Sequence, residues 1–390
     1  MRYEVGRIRY FIPPTSCLIP HTSYLSMKIL HFSSAKSWRG GEQQIAYLIE
    51  ELEQLGVQQW IFCRKNSALA DYCLLNNIRY LTYRRGFSVN PAIGLRFKKI
   101  CSELRVDIAH LHDAHSHTFA YMSALLGNPT PYILSRRVDF RVQNSTLSLK
   151  KYNHSSIKKI LSVSQKVQDV LSPAIRDSSK LKVVHSGIDL TRFSGVNTGK
   201  LREELQLSKT TKLIANVAAI APHKDYFTFV DTAAILVQQR SDLKFLIIGS
   251  DGGEAEKIKQ YIQEKQLVQH FIFTGFRKDI PVILPEIDVF LFTSKEEGLG
   301  TSLLDALASR VPVVATNAGG IPEIIQHQKN GLLASIGDAH QLAKNVQILL
   351  TQPSLATSLV KQGKETVQQF SKKQTARKTM IVYKEVLNDE

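Results

Sequence analysis

The 390-residue chain is poor in cysteine, in long apolar runs and, over its first half, in acidic residues. Its four cysteines, Cys17, Cys63, Cys73 and Cys101, are scattered, with no CxxC pair and no spacing that suits a metal site. They read as plain thiols of a reducing cytoplasm. No stretch approaches the ~20 apolar residues that a spanning helix needs. Three prolines interrupt the segment from Phe11 to Pro20, which argues against an export signal there. Residues 1–26 therefore read as a disordered extension, and Met27 to Phe32 as the first strand of the fold. No zinc-finger, RRM or KH signature is present, so nucleic acid is excluded as a partner.

The shortage of acids is local. The formal charge is +16. Residues 1–200 hold 28 Lys and Arg against 13 Asp and Glu, whereas residues 201–390 hold 22 against 21. The first half is thus suited to an acidic partner such as an anionic membrane surface or a phosphorylated acceptor.

What the chain does have is two successive series of alternating strands and helices. The first runs from strand 27–32 and helix 41–55 to strand 181–185. The second begins at strand 212–217 and continues through strands 244–248, 270–274, 287–293, 311–316 and 331–334, with helices between them. This pattern predicts an α/β protein of two Rossmann-like, doubly wound domains facing a cleft, with ligands at the carboxyl ends of the strands. The expected boundaries are 27–190 and 212–368, joined by a polar linker at 191–211. The tail 355–388 is expected to be helical and amphipathic, anchored by Phe370 and Tyr383, with a C-terminal helix at 369–390 crossing back to the first domain.

The most informative stretch is Glu297-Gly-Leu-Gly-Thr-Ser-Leu-Leu-Asp305, which follows the apolar strand ending at Thr293. Gly298 and Gly300 allow a ligand close to the backbone. Thr301 or Ser302 is placed to cap the next helix, whose N-terminus favours an anion. Carboxylates on either side repel phosphate yet accept hydrogen bonds from sugar hydroxyls, so the pairing points to a sugar nucleotide. Ser302 and Asp305 also have capping-box spacing, which gives Asp305 a purely structural alternative. Gly319-Gly-Ile-Pro-Glu323 forms a turn beside the same place.

Other strand ends carry candidates. Lys224 follows the first strand of the second series and can reach diphosphate oxygens. The loops Gly249–Glu254 and Thr274-Gly275-Phe276 can wrap a base and ribose. In the first series, Gly40-Gly41-Glu42 opens a helix. Ile108 to His117 carries four of the twelve histidines, of which His112 ends the strand and is placed to bind a substrate hydroxyl. A zinc cluster is the competing reading of these histidines, disfavoured by the absence of an i, i+4 helical pair or a nearby cysteine.

These motifs, in this order, resemble glycosyltransferase family 4, retaining enzymes of the glycosyltransferase-B fold. The resemblance covers about residues 27–388 and is strongest over 287–325. It implies that Glu297 contacts the donor sugar, that Asp305 contacts the nucleotide ribose, and that Lys224 binds diphosphate. It also implies that His112 lines the acceptor side, and that Gly40 and Gly41 let the donor approach the first domain. Gly275, Phe276, Gly298, Leu299, Gly300, Thr301 and Ser302 complete the implied donor site. Two positions depart from the family pattern. Asp305 stands where Glu is usual, and Ala219 stands where an Arg is frequent.

The expected activity is transfer of a hexose-like sugar, with retention, from a nucleotide diphosphate sugar to a hydroxyl of a cell-envelope glycan or lipid-linked acceptor. No cofactor and no metal are expected, and the location expected is cytoplasmic, peripheral at the inner face of a membrane. The alternatives are a catalytically lapsed sugar-nucleotide-binding protein and a sugar-nucleotide epimerase on the same fold.

Overall fold

A computed structural model describes residues 2–5, 8–11, 27–84, 90–142, 145–193 and 196–388. Two short strands, β1 (Arg2–Val5) and β2 (Ile8–Phe11), pair antiparallel within the stretch expected to be disordered, and residues 12–26 lie outside the description.

Two compact units follow. The first comprises residues 1–163, 167–185 and 372–390, and the second residues 164–166 and 186–371. The first unit holds strands β3 (Lys28–Ser33), β4 (Gln58–Arg64), β5 (Tyr80–Tyr83), β6 (Ile108–Leu111), β7 (Tyr132–Arg136), β8 (Ile157–Ser162) and β9 (Leu181–Val183). They form one parallel sheet in the order β5-β4-β3-β6-β7-β8-β9. The order reverses direction at β3, so the β3 and β6 ends are the topological switch point where α/β sheets place ligands.

Both sheet faces are buried, as nearly continuous apolar strands require. On one face Leu30, Phe32, Phe62 and Leu111 pack with Phe97, Ile100 and Phe119. On the other, Ile29, Ile108 and Ile133 pack with Leu48 and Leu52 of helix Gly40–Gln54 and with Val382 and Tyr383 of helix Lys372–Asn388. The last helix therefore completes the core of the first unit although it comes last in the chain. Tyr383 and Phe370, the expected anchors, are both buried.

The second unit holds β10 (Lys212–Val217), β11 (Leu243–Ile248), β12 (Phe271–Gly275), β13 (Val289–Phe292), β14 (Val313–Thr316) and β15 (Leu332–Ala334). They form a parallel sheet in the order β12-β11-β10-β13-β14-β15, which switches at β10 and β13. The segment expected to be a linker is anchored to this unit. Within it lies a short helix, Lys200–Glu204, whose Leu201 is fully buried. The buried Glu286 carboxylate accepts the N–H groups of Leu201 and Arg202 at 2.9 and 3.0 Å.

Candidate functional site

In the second unit the candidate residues gather where β10 and β13 end, at the switch point. The turn Pro222–Lys224 follows β10, and Asp225 caps the next helix, Tyr226–Val237, from a left-handed conformation. Thr293, just beyond β13, donates its hydroxyl to the carbonyl of Asp225 at 3.0 Å, and the N–H of Lys295 donates to the carbonyl of His223 at 2.8 Å. These cross-links fix the Lys224 turn against the acid loop. The ammonium of Lys224 donates to Oε2 of Glu297 and lies 5.2 Å from the centre of the Phe292 ring. Both partners of this ion pair are largely buried. Beside it, Lys295 Nζ pairs with Asp225 Oδ1 at 3.1 Å.

Gly300 takes φ +88° and is itself the N-cap of helix Thr301–Ala308, with no side-chain cap. This corrects the expectation that Thr301 or Ser302 caps it. It also removes the capping-box alternative for Asp305, which lies more than a turn inside the helix. The left-handed cap instead leaves the helix start without a side-chain acceptor, the arrangement that suits an external anion. Leu299 is buried.

The glycines that follow β14 buttress this loop. A Cβ at Gly319 would lie 2.0 Å from the Glu297 carbonyl oxygen, and one at Gly320 would lie 2.4 Å from that of Gly298. The N–H of Gly320 donates to the carbonyl of Glu297 at 2.9 Å. The double glycine thus exists to let two backbone segments touch, which the sequence could flag only as a turn. Glu323, in the same motif, accepts the N–H groups of Gln165 and Lys166 at 2.9 and 3.0 Å, a structural role.

Asp305 is half-buried, and withdrawal from water pushes its carboxyl up to about 7 against the opposing pull of Arg192. Near neutral pH it is poised between a carboxylic acid and a carboxylate. Arg192 was not singled out by any motif. Further along the sheet edge, successive strand ends touch: the Gly249 N–H donates to the Gly275 carbonyl at 2.9 Å, and a Cβ on Gly249 would meet the Ala218 carbonyl at 2.0 Å. Gly275 takes φ +68°, and Phe276 is exposed beside it.

In the first unit, Gly40 and Gly41 are the opening residues of helix Gly40–Gln54, and no atom stands within 4 Å of where a side chain would project from either. The carboxylate of Glu42 folds back to accept the Arg39 N–H at 3.0 Å. His112 sits at the β6 end, but neither ring nitrogen is free. Nε2 lies 3.0 Å from His31 Nδ1, and Nδ1 lies 3.2 Å from an Arg137 guanidinium nitrogen. The expectation of a ring open to a substrate hydroxyl is therefore not met. Arg137, which no motif singled out, also donates to the His112 carbonyl at 3.0 Å.

His31, His110 and His112 bring their nitrogens within 4.8 Å of one another. Each is instead hydrogen-bonded to protein: His31 Nε2 to Gln59 at 3.0 Å, and His110 to Tyr383 and Ser135 at 2.6 and 2.8 Å. Burial lowers His31 to about 4 and lowers His110 and His112 well below the usual imidazole range. The three rings are neutral, and a cation there would face the charge of Arg137. Of the other histidines in the cluster, His117 is buried and donates from Nε2 to the Lys151 carbonyl at 3.2 Å, away from this row.

Comparison with known proteins bears on the family and the fold. The model of glycosyl transferases group 1 matches residues 197–366, and that of glycosyltransferase family 4 matches residues 38–192. The chain is 25% identical to N-acetyl-alpha-D-glucosaminyl L-malate synthase of Bacillus anthracis, over 77% of this chain and 80% of that enzyme. It is 23% identical to UDP-Gal:alpha-D-GlcNAc-diphosphoundecaprenol alpha-1,3-galactosyltransferase of Escherichia coli, over 76% and 81%. An Anabaena protein solved in complex with UDP-glucose superposes with a TM-score of 0.81 at 18% identity, covering 92% of this chain and all of that one. With one model matching each half and the fold shared throughout, the chain belongs to glycosyltransferase family 4 and has the glycosyltransferase-B fold.

Proposed function

We propose that this glycosyltransferase moves a hexose-like sugar from a nucleotide diphosphate sugar to a hydroxyl of a cell-envelope glycan or lipid-linked acceptor, with retention and without a metal. The observation that carries the reading is the Lys224–Glu297 ion pair at the foot of the uncapped helix Thr301–Ala308. A diphosphate oxygen is a better partner for Lys224 than a carboxylate that other groups can also satisfy. Exchange of partners would release Glu297 to accept from a sugar hydroxyl.

When the nucleotide diphosphate departs, negative charge grows on the leaving oxygen. Lys224 and the N–H groups at Thr301 and Ser302 are donors fixed beforehand around that charge, which is where electrostatic catalysis is strongest. With Ala219 in place of a second cation, the load falls on those groups. Asp305, partly protonated near neutral pH, can donate to or accept from a ribose hydroxyl. Gly275 and Phe276 border the base.

The acceptor is assigned to the basic first unit. The E. coli relative acts, by its name, on a diphosphoundecaprenol-linked sugar, and a comparable acceptor here would bring the enzyme to an anionic membrane surface. No helix among the described residues is long and apolar enough to cross a membrane.

The test is a thermal-shift screen with UDP-, GDP-, ADP- and CMP-sugars, followed by transfer assays with the sugar that stabilises most. Transfer with the anomeric configuration kept is the expected result. Binding without transfer across a broad acceptor panel would favour a lapsed enzyme, and conversion of the donor alone would favour an epimerase.

A further inference from the structure

The sheet face beneath helices Gly40–Gln54 and Lys372–Asn388 carries an apolar cluster, and a row of polar side chains crosses it. The row crosses three adjacent strands: Gln59 on β4, His31 on β3, and His110 on β6 with His112 just beyond its end. All four are buried. A buried polar row persists only if its donors and acceptors match throughout.

The match can be worked out from both ends. The Gln59 amide nitrogen donates to the Ile49 carbonyl at 3.0 Å, so its oxygen is the atom that faces His31 Nε2. That oxygen only accepts, so His31 carries its proton on Nε2 and leaves Nδ1 bare. Nδ1 faces His112 Nε2 at 3.0 Å, so His112 must donate from Nε2 and leave its own Nδ1 bare. At the other end, Arg137 can only donate, and it meets His112 at that same Nδ1. The two ends dictate the same proton positions independently. His110 is not bound by this logic, because both its partners are hydroxyls.

We propose that Gln59 and His31 are positioning residues, which fix the proton of His112 on Nε2 and thereby clamp Arg137 at the strand end, where its remaining N–H groups meet a hydroxyl of the sugar substrate. A hydroxyl fits better than a phosphate, because the carboxylates of Glu42 and Asp113 act on the Arg137 charge. The assignment of a sugar substrate rests on the transferase reading; the proton positions do not.

The substitution Gln59→Glu tests the row with little change of shape. A carboxylate at 59 stabilises a second proton on His31. Nδ1 of His31 then donates, His112 must accept at Nε2 and carry its proton on Nδ1, and that proton confronts the Arg137 N–H. Gln59→Met removes the acceptor without adding charge and leaves Arg137 to hold the His112 tautomer.

The experiment is long-range 15N–1H correlation spectroscopy of the full chain labelled with 15N-histidine, assigned by His31→Asn and His112→Asn. The expected wild-type spectrum shows His31 and His112 as neutral Nε2–H tautomers at pH 7.5. Gln59→Glu is expected to turn His31 into an imidazolium and move the His112 proton to Nδ1, while Gln59→Met leaves His112 unchanged. With a donor established, KM for a sugar substrate should rise about tenfold in Gln59→Glu with kcat nearly unchanged.

An Nδ1–H tautomer of His112 in the wild type overturns the proposal even if neither Gln59 variant folds. So does stoichiometric zinc uptake that His31→Asn abolishes, because the nitrogens would then be metal ligands. Tautomers as expected with unchanged KM would overturn the role of Arg137 toward substrate. Tautomers as expected with no transfer from any donor would instead count against the transferase reading.

Discussion

Lys224 and Glu297, 73 residues apart in the chain, form an ion pair at the carboxyl ends of neighbouring strands, and in the proposed function each leaves the other when a sugar nucleotide binds. Replacing Lys224 with Ala removes the one side-chain cation assigned to the diphosphate. Turnover with a proven donor and acceptor should fall by about 10²–10³, the loss seen when one fixed transition-state donor is removed. Steady-state kinetics check this, and a rate near wild type would show that the diphosphate is bound elsewhere.

Gly319→Ala should destabilise the second unit by about 2–3 kcal/mol, since it combines a left-handed backbone with a clash on the Glu297 carbonyl. Gly337→Ala is the control: it shares the positive φ (+78°) but has open space. Denaturant melts of the two variants separate conformational strain from the clash, and equal losses would mean that the close approach to Glu297 carries no weight.

Asp305 gives the second unit a pH dependence of definite sign. Its native pKa, about 7, stands above the ordinary 3.8. Between those values the unfolded state has released a proton that the native state keeps, so stability falls as pH rises from about 4 to 7. Asp305→Asn should therefore gain stability over wild type at pH 8 and show none at pH 4. Paired melts at the two pH values test this, and an equal difference at both would refute it.

The neutral histidines of the first unit act in the opposite direction. His31 is lowered from 6.5 to about 4, and His110, His112 and His117 are also lowered by burial. Below pH 6.5 the unfolded state takes up protons that the native state refuses, so stability is lost as pH falls from about 6.5 to 4. His31 alone contributes on the order of 3 kcal/mol over that window. Both tryptophans, Trp38 and Trp60, lie in the first unit, so their fluorescence during denaturation at pH 7, 6 and 5 reports the effect directly.

The basic first half carries Phe140 and Leu147 exposed among Arg141, Lys150 and Lys151. Sedimentation with anionic vesicles should exceed that with neutral vesicles at low salt and weaken as salt rises. Phe140→Ser with Leu147→Ser should reduce it further. Equal binding to both vesicle types would remove the electrostatic argument for a membrane-borne acceptor.

Legibility differed by scale. Helices and strands were readable because their apolar periodicity is local: Ile287 to Thr293 has to be buried on both faces, and the structure puts Val289–Phe292 at the centre of a parallel sheet. The acid loop was readable for the same reason, as glycines and carboxylates at a strand end announce themselves in sequence. The helix cap was not legible, because Ser and Thr favour capping only where the backbone turns them toward the free N–H groups, and Gly300 takes that turn first.

By itself, the sequence determined the two α/β halves, the strand ends where the candidate residues lie and the family motif, since each depends on residues close together in the chain. Tertiary structure alone decided that Lys224 meets Glu297, that Gly319 and Gly320 press on the acid loop, and that Gln59, His31, His112 and Arg137 share one row of protons. Those relationships join side chains on neighbouring strands, and strand order, which no local pattern encodes, sets which strands are neighbours.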